Sequence, residues 1–189
     1  MNFTIEQYQT LTNSTFISKY AIWLNKYAQE FKVNTPSRIL CFLANLIVET
    51  GNFKWIEELT SGSQYEGRID LGNNQKGDGV KFKGRGLGMV TGRYNHQMFT
   101  NWCATIGITI NFVKTPELLE EPQYAVLSAF WFWKANNLQK FADNNQFQQI
   151  CAVWNTGKFD RPVTKINGWT QRVNAYNNLQ KKLTLILNS

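Results

Sequence analysis

The sequence predicts a mainly α-helical fold interrupted by one small β-hairpin/loop region. Three observations carry that expectation. Apolar residues recur at helical spacing up to Gly51 and again after Gly92. Nine of the thirteen glycines fall between Gly62 and Gly92, where a helix is disfavoured. Hydrophobic residues make up 43% of a 189-residue chain, enough for the core of one domain.

The elements follow in order. Ile17, Tyr20, Ala21, Leu24, Tyr27, Ala28 and Phe31 form one apolar helical stripe. Thr35-Pro36 reads as an N-cap followed by proline at the first helical position. The helix it opens turns Ile39, Leu40, Phe42, Leu43, Leu46 and Ile47 inward, and Gly51 suits its stop. In the glycine-rich stretch, Val80-Lys81-Phe82 and Leu87 to Val90 are expected to pair as a small hairpin or sheet. Tyr94, Met98, Phe99 and Trp102 fit a helix ending before Gly107. Pro122 starts a helix that is apolar all round (Ala125, Val126, Ala129, Phe130, Trp133) and therefore central and buried. A shorter helix carries Phe147, Ile150, Cys151 and Trp154 and closes at Gly157, and a last one runs from about Trp169 to Leu187.

Composition narrows the chemistry. The formal charge of +7 fits either plain solubility or attraction to a polyanion. The basic residues are scattered, and no helix-turn-helix, zinc-finger or RNA-binding signature accompanies them, so a nucleic-acid partner is not expected. No stretch approaches the roughly 18–20 apolar residues of a membrane span, so no stable membrane insertion is expected either. Met1-Asn2-Phe3-Thr4-Ile5-Glu6 lacks the basic and apolar regions of a signal peptide. Cys41, Cys103 and Cys151 match no zinc or redox spacing, and Cys41 and Cys151 read as buried small hydrophobes. His96 is the single histidine, which rules out a site built on two or three histidines. Neither a metal nor a cofactor is expected, and catalysis falls to carboxylates.

Glu49 lies at the edge of its helix's apolar face and in its last turn, where burial and the helix dipole both favour the neutral acid. Such a group suits a general acid. Glu66, with Arg68 beside it to hold it ionised, suits a base; Glu57 and Glu58 are rival second carboxylates. Two carboxyls flanking a glycosidic bond are the minimal machinery for its hydrolysis.

Residues 49 to 95 resemble the family 19 glycoside hydrolases, the plant-type chitinases and their phage and bacterial endolysin relatives. The resemblance rests on Glu49-Thr50-Gly51-Asn52-Phe53, on Tyr65-Glu66-Gly67-Arg68-Ile69-Asp70-Leu71-Gly72-Asn73, on Gly77-Asp78-Gly79, and on Phe82-Lys83-Gly84-Arg85-Gly86-Leu87 running to Thr91-Gly92-Arg93-Tyr94-Asn95. Ile166-Asn167-Gly168 with Arg172 adds a weaker match. Val48 stands where related endolysins have histidine, and Gly88-Met89 where they have Ile-Gln.

The resemblance implies a single lysozyme-like catalytic domain over 1–189, two-lobed, with the loop region beside a cleft. It implies Glu49 as general acid, Glu66 as general base, and Thr91 as the hydroxyl that helps hold the attacking water. It gives Tyr94, Asn95 and Asn167 sugar-contacting positions, and it places Arg172 near the base and Arg85 in a structural role. Inversion at the anomeric carbon is implied, with carboxyls roughly 6.5–9.5 Å apart. The likeness is closer to the endolysins than to the disulfide-bonded plant enzymes. The expected substrate is therefore the glycan of bacterial peptidoglycan, with chitin, or wall binding without catalysis, as alternatives. A monomer is expected, held in the host bacterial cytoplasm until release and acting on the wall in the periplasm.

Overall fold

A computed structural model describes residues 2–188. Among them the α-helices are α1 (Ile5–Thr12), α2 (Ala21–Glu30), α3 (Pro36–Glu49), α4 (Asp78–Lys81), α5 (Arg93–Thr105), α6 (Pro122–Ala135), α7 (Leu138–Asp143), α8 (Phe147–Thr156) and α9 (Trp169–Leu187). The chain divides into two compact units. One comprises residues up to Lys54 together with those from Phe132 onward; the other spans Trp55–Trp131.

In the first unit α3 is the central element, packed against α7, α8 and α9. Thr35 caps it by accepting from Arg38 N, with Pro36 at the first position. Its residues from Ile39 to Leu46 are all buried. Phe42 meets Trp133 and Trp154 edge to face, with ring centroids 5.6 and 5.9 Å apart. Burying such side chains stabilises by roughly 1.5–3 kcal/mol each. α8 ends as expected at Gly157, which takes the left-handed conformation (φ 73°) that a helix C-terminus requires. Cys41, Cys103 and Cys151 are all buried free thiols. Burial pushes each of them up to about 12.

The second unit holds the glycine-rich stretch, α5 and α6 as far as Trp131. Phe99 of α5 packs on Phe112 and on Trp131, centroids 4.8 and 5.5 Å apart. Leu87 N donates to Ala125 O and Gly88 N to Ser128 Oγ, which ties the loop to α6. A Cβ on Gly88 would meet the backbone of Ser128 at 2.7 Å, so this approach requires glycine.

The expected β-hairpin does not form. Val80-Lys81-Phe82 lies in and just beyond α4, whose i→i−4 bonds run from Lys81 N to Gly77 O and from Phe82 N to Asp78 O. Asp78 sets that turn: its carboxylate accepts from Gln75 N and from the Arg93 guanidinium. Leu87 to Val90 bends back at Gly86 (φ 74°) and Met89 (φ 47°), leaving, among the described residues, the isolated bridges Arg85–Val90 and Glu57–Arg85. The first helical stripe also divides: Phe16–Lys19 is a 3₁₀ turn and α2 begins at Ala21.

Candidate active site

In the first unit, Glu49 is the last residue of α3 and its side chain is 20% exposed. Gly51, Asn52 and Phe53 then follow in the left-handed region (φ 54°, 62° and 67°). Phe53 adopts that costly conformation because its ring is wholly buried beside Tyr20. Asn52 anchors the turn: its amide nitrogen donates to Thr12 O, and its carbonyl accepts from Ser14 Oγ at 2.7 Å. Glu49 therefore projects from a helix end that is fixed on both sides.

Arg172 of α9 is 2% exposed and reaches three oxygens. Nη2 donates to Glu49 Oε1. Nη1 donates to Asn45 Oδ1 at 2.6 Å, and Nε to Asn167 O at 3.2 Å. Arg172 thus stands against the expected acid, and its burial makes it a residue that holds Glu49 more than one that faces sugar. The Asn167 side chain is exposed, and its backbone N donates to Asn155 Oδ1. The sequence motifs did not single out Asn45; its one signal is a polar residue on the apolar face of α3, a turn before Glu49.

In the second unit the expected base Glu66 is exposed, and both of its oxygens are occupied. Oε1 accepts from Gly77 N at 2.6 Å and Oε2 from Gly79 N at 2.8 Å, a carboxylate seated on the start of α4. Arg68 does not pair with Glu66 but with Asp70. Glu57 is held by Lys83 at 2.9 Å and Arg85 at 3.2 Å. Arg85 also bonds Glu120 and Lys81 O, tying the loop to the Pro116–Glu120 turn.

Glu58 is placed differently. Its Oε1 accepts from Thr60 Oγ1 (2.8 Å), Tyr65 OH (2.9 Å) and Gln64 Nε2 (3.0 Å), and its Oε2 from Gly84 N (3.2 Å). Burial and the bond to Glu58 push the Tyr65 phenol up. A methyl built on Gly84 would lie 3.2 Å from Thr91 Oγ1 and 3.4 Å from Glu58 Oε2, so this hydroxyl and this carboxylate flank the same bare backbone. Thr91 Oγ1 itself donates to Met89 O. Tyr94 is 56% exposed at the start of α5. Asn95 Nδ2 donates to Thr91 O. Contacts thus link Tyr65 to Glu58 and Asn95 to Thr91, with Glu58 and Thr91 both beside Gly84, whereas Glu66 bonds the start of α4.

Among the described residues, no group of three or more His, Cys, Asp and Glu side chains could hold a metal ion, and no helix is long and apolar enough to cross a membrane.

No family model matches the chain. It is 27% identical over 119 residues to a glycosyl hydrolase family 19 domain-containing protein of Haemophilus influenzae, a match that covers 63% of this chain and 51% of that protein. The chain spans about half the length of that curated relative. Chitinase C from Streptomyces griseus superposes with a TM-score of 0.72 at 18% identity, over 96% of this chain and 92% of that one. A second bacterial family 19 chitinase superposes with a TM-score of 0.60 at 18% identity, over 97% and 95%.

Proposed function

We propose that this chain, a chitinase-like domain with the fold of glycoside hydrolase family 19, hydrolyses β-1,4 glycosidic bonds of bacterial peptidoglycan in the manner of an endolysin. The observation that carries the reading is the buried arginine fixed against Glu49 at the end of α3, which holds one carboxyl ready in a single orientation. Glu49 gives its proton to the leaving glycosidic oxygen. A second carboxylate takes a proton from water as that water attacks the anomeric carbon from the opposite face, and the configuration inverts.

For the second carboxylate the geometry favours Glu58 over the expected Glu66. Four donors orient Glu58, and it shares Gly84 with Thr91, the hydroxyl proposed to hold the water. Glu66 spends both oxygens on backbone N–H groups. The exposed side chains of Tyr94 and Asn167 are available to sugar, and Asn95 steadies Thr91. No cofactor enters this scheme.

Peptidoglycan is favoured over chitin by the +7 charge, which suits an anionic wall reached from the periplasm by a monomeric enzyme. Chitin is the second reading, because the superposed structures are those of chitinases. Purified sacculi and chitin hexamer, each digested and analysed by mass spectrometry, separate the two. New reducing-end sugars from sacculi at the higher rate support the proposal, and cleavage of the hexamer alone overturns the substrate assignment.

A further inference from the structure

We propose that Asn45 is a positioning residue for Glu49, acting through Arg172. The proposal rests on the reading of Glu49 as general acid. Asn45 and Glu49 lie one turn apart on α3, so their side chains meet on one face. The guanidinium of Arg172 bridges them, with Nη1 on Asn45 Oδ1 at 2.6 Å and Nη2 on Glu49 Oε1.

The amide of Asn45 suits this place for a reason of valence. Arginine only donates hydrogen bonds and a carbonyl only accepts them. Asn45 accepts from Arg172 with Oδ1, and with Nδ2 it donates to Cys41 O at 2.8 Å, one turn back along α3. Both contacts fix which end of the amide is which, and Asn45 is wholly buried, so the group cannot turn to water. The third arm of Arg172, Nε to Asn167 O, completes the clamp. The carboxyl partner within the clamp is Glu49. From α8 the Cys151 thiol faces the same groups, and burial pushes it up to about 12, so it brings no charge.

Asn45 is therefore placed to aim the positive charge without sharing it. Aspartate at this position would divide the guanidinium between two carboxylates and set a second negative charge beside the acid. That favours the protonated form of Glu49 at higher pH. Leucine or serine would release one arm of Arg172 and loosen the orientation of Glu49.

The test is a set of kcat and KM profiles from pH 4 to pH 9 on a soluble glycan fragment for wild type, Asn45→Asp, Asn45→Leu and Asn45→Ser, each normalised to the folded fraction by circular dichroism. The high-pH limb of kcat reports the general acid in the complex. The expected result is an upward move of that limb by about one pH unit in Asn45→Asp, with kcat lowered about tenfold and KM kept within twofold in Asn45→Leu and Asn45→Ser. A purely structural role lowers the melting temperature but moves neither the limb nor kcat per folded molecule. If Asn45→Leu or Asn45→Asp does not fold, Asn45→Ser decides by its kcat, since serine can still donate to Cys41 O as helical serines do. An active wild type with an unmoved limb and a serine variant within twofold of its kcat overturns the proposal alone. An inactive wild type overturns the glycosidase reading beneath it.

Discussion

What separates Glu58 from Glu66 is which groups hold their oxygens. Side-chain donors and one backbone amide orient Glu58 beside Thr91, whereas Glu66 is bonded into the start of α4. Replacing Glu58 by glutamine is expected to lower kcat/KM by roughly 10²–10⁴-fold with little change in melting temperature. Glu66→Gln is expected to lower the melting temperature and to leave activity per folded molecule within about threefold, because one backbone N–H then faces an amide nitrogen. A larger loss of kcat in Glu66→Gln would return the base to Glu66. The motif around Tyr65-Glu66-Gly67-Arg68 drew attention to Glu66 because that stretch is distinctive. In the structure its oxygens accept from Gly77 N and Gly79 N, contacts across 11 and 13 positions that sequence spacing does not reveal.

His96 gives a second test at this scale. It is wholly buried; its Nδ1 bonds Gly92 O, an acceptor only, so Nδ1 carries the hydrogen. Among the described residues Nε2 finds no hydrogen-bond partner. Burial, first of all, takes the group from 6.5 down to about 4. The folded protein therefore resists a proton that the unfolded chain accepts. The stability this confers is fully present above about pH 6.5 and is lost progressively as pH falls toward about 4. The loss between pH 7 and pH 4.5 is expected to be roughly 2–3 kcal/mol. Urea unfolding at the two pH values checks it. The His96→Asn protein, which keeps a donor for Gly92 O but cannot be protonated, should lose less stability across that window. Equal losses in both proteins would show that other groups govern the acid limb.

At the scale of elements, long periodic segments were legible and short ones were not. The cap at Thr35, the stop at Gly157 and the span of α9 all follow from local chemistry that tertiary packing reinforces. α1 escaped notice although Thr4 and Gln7 form a capping box, a signal the sequence does contain. The alternation Val80-Lys81-Phe82 suggested a strand, but three residues cannot fix a period, and the left-handed Gly77 and the carboxylate of Asp78 wind them into α4. Two glycines of the loop make a matched comparison. A Cβ at Gly79 would sit 2.5 Å from Glu66 N and 2.8 Å from Gly62 O, both backbone atoms that cannot swing away, whereas at Gly67 it meets nothing within 4 Å. Gly79→Ala is expected to cost about 2–3 kcal/mol or to prevent folding. Gly67→Ala should cost about 1 kcal/mol, from its positive φ alone. Similar losses in the two variants would mean that the packing of residues 62–66 on α4 is looser than this contact implies.

At the scale of the whole chain, the +7 charge and the two-glutamate reading make separable claims. If the charge draws the protein to an anionic wall, sedimentation with purified walls should weaken as salt rises and the Debye length falls toward about 8 Å at 0.15 M. Binding that stays flat with salt would assign the charge to solubility. The proposed reaction turns on Glu49. Its motif and its helix were readable in the sequence. Its clamp was not, because Asn45 and Arg172 stand 127 positions apart and meet only through the packing of α9 on α3. The most direct measurement is the initial rate of reducing-end release from purified sacculi by wild type and Glu49→Gln, with melting curves recorded on the same samples. Glutamine keeps the shape and has no proton to give, so the rate should fall by at least about 100-fold while the melting temperature holds. Retention of more than about a tenth of the wild-type rate in a folded Glu49→Gln protein would contradict the assignment of Glu49 as the acid.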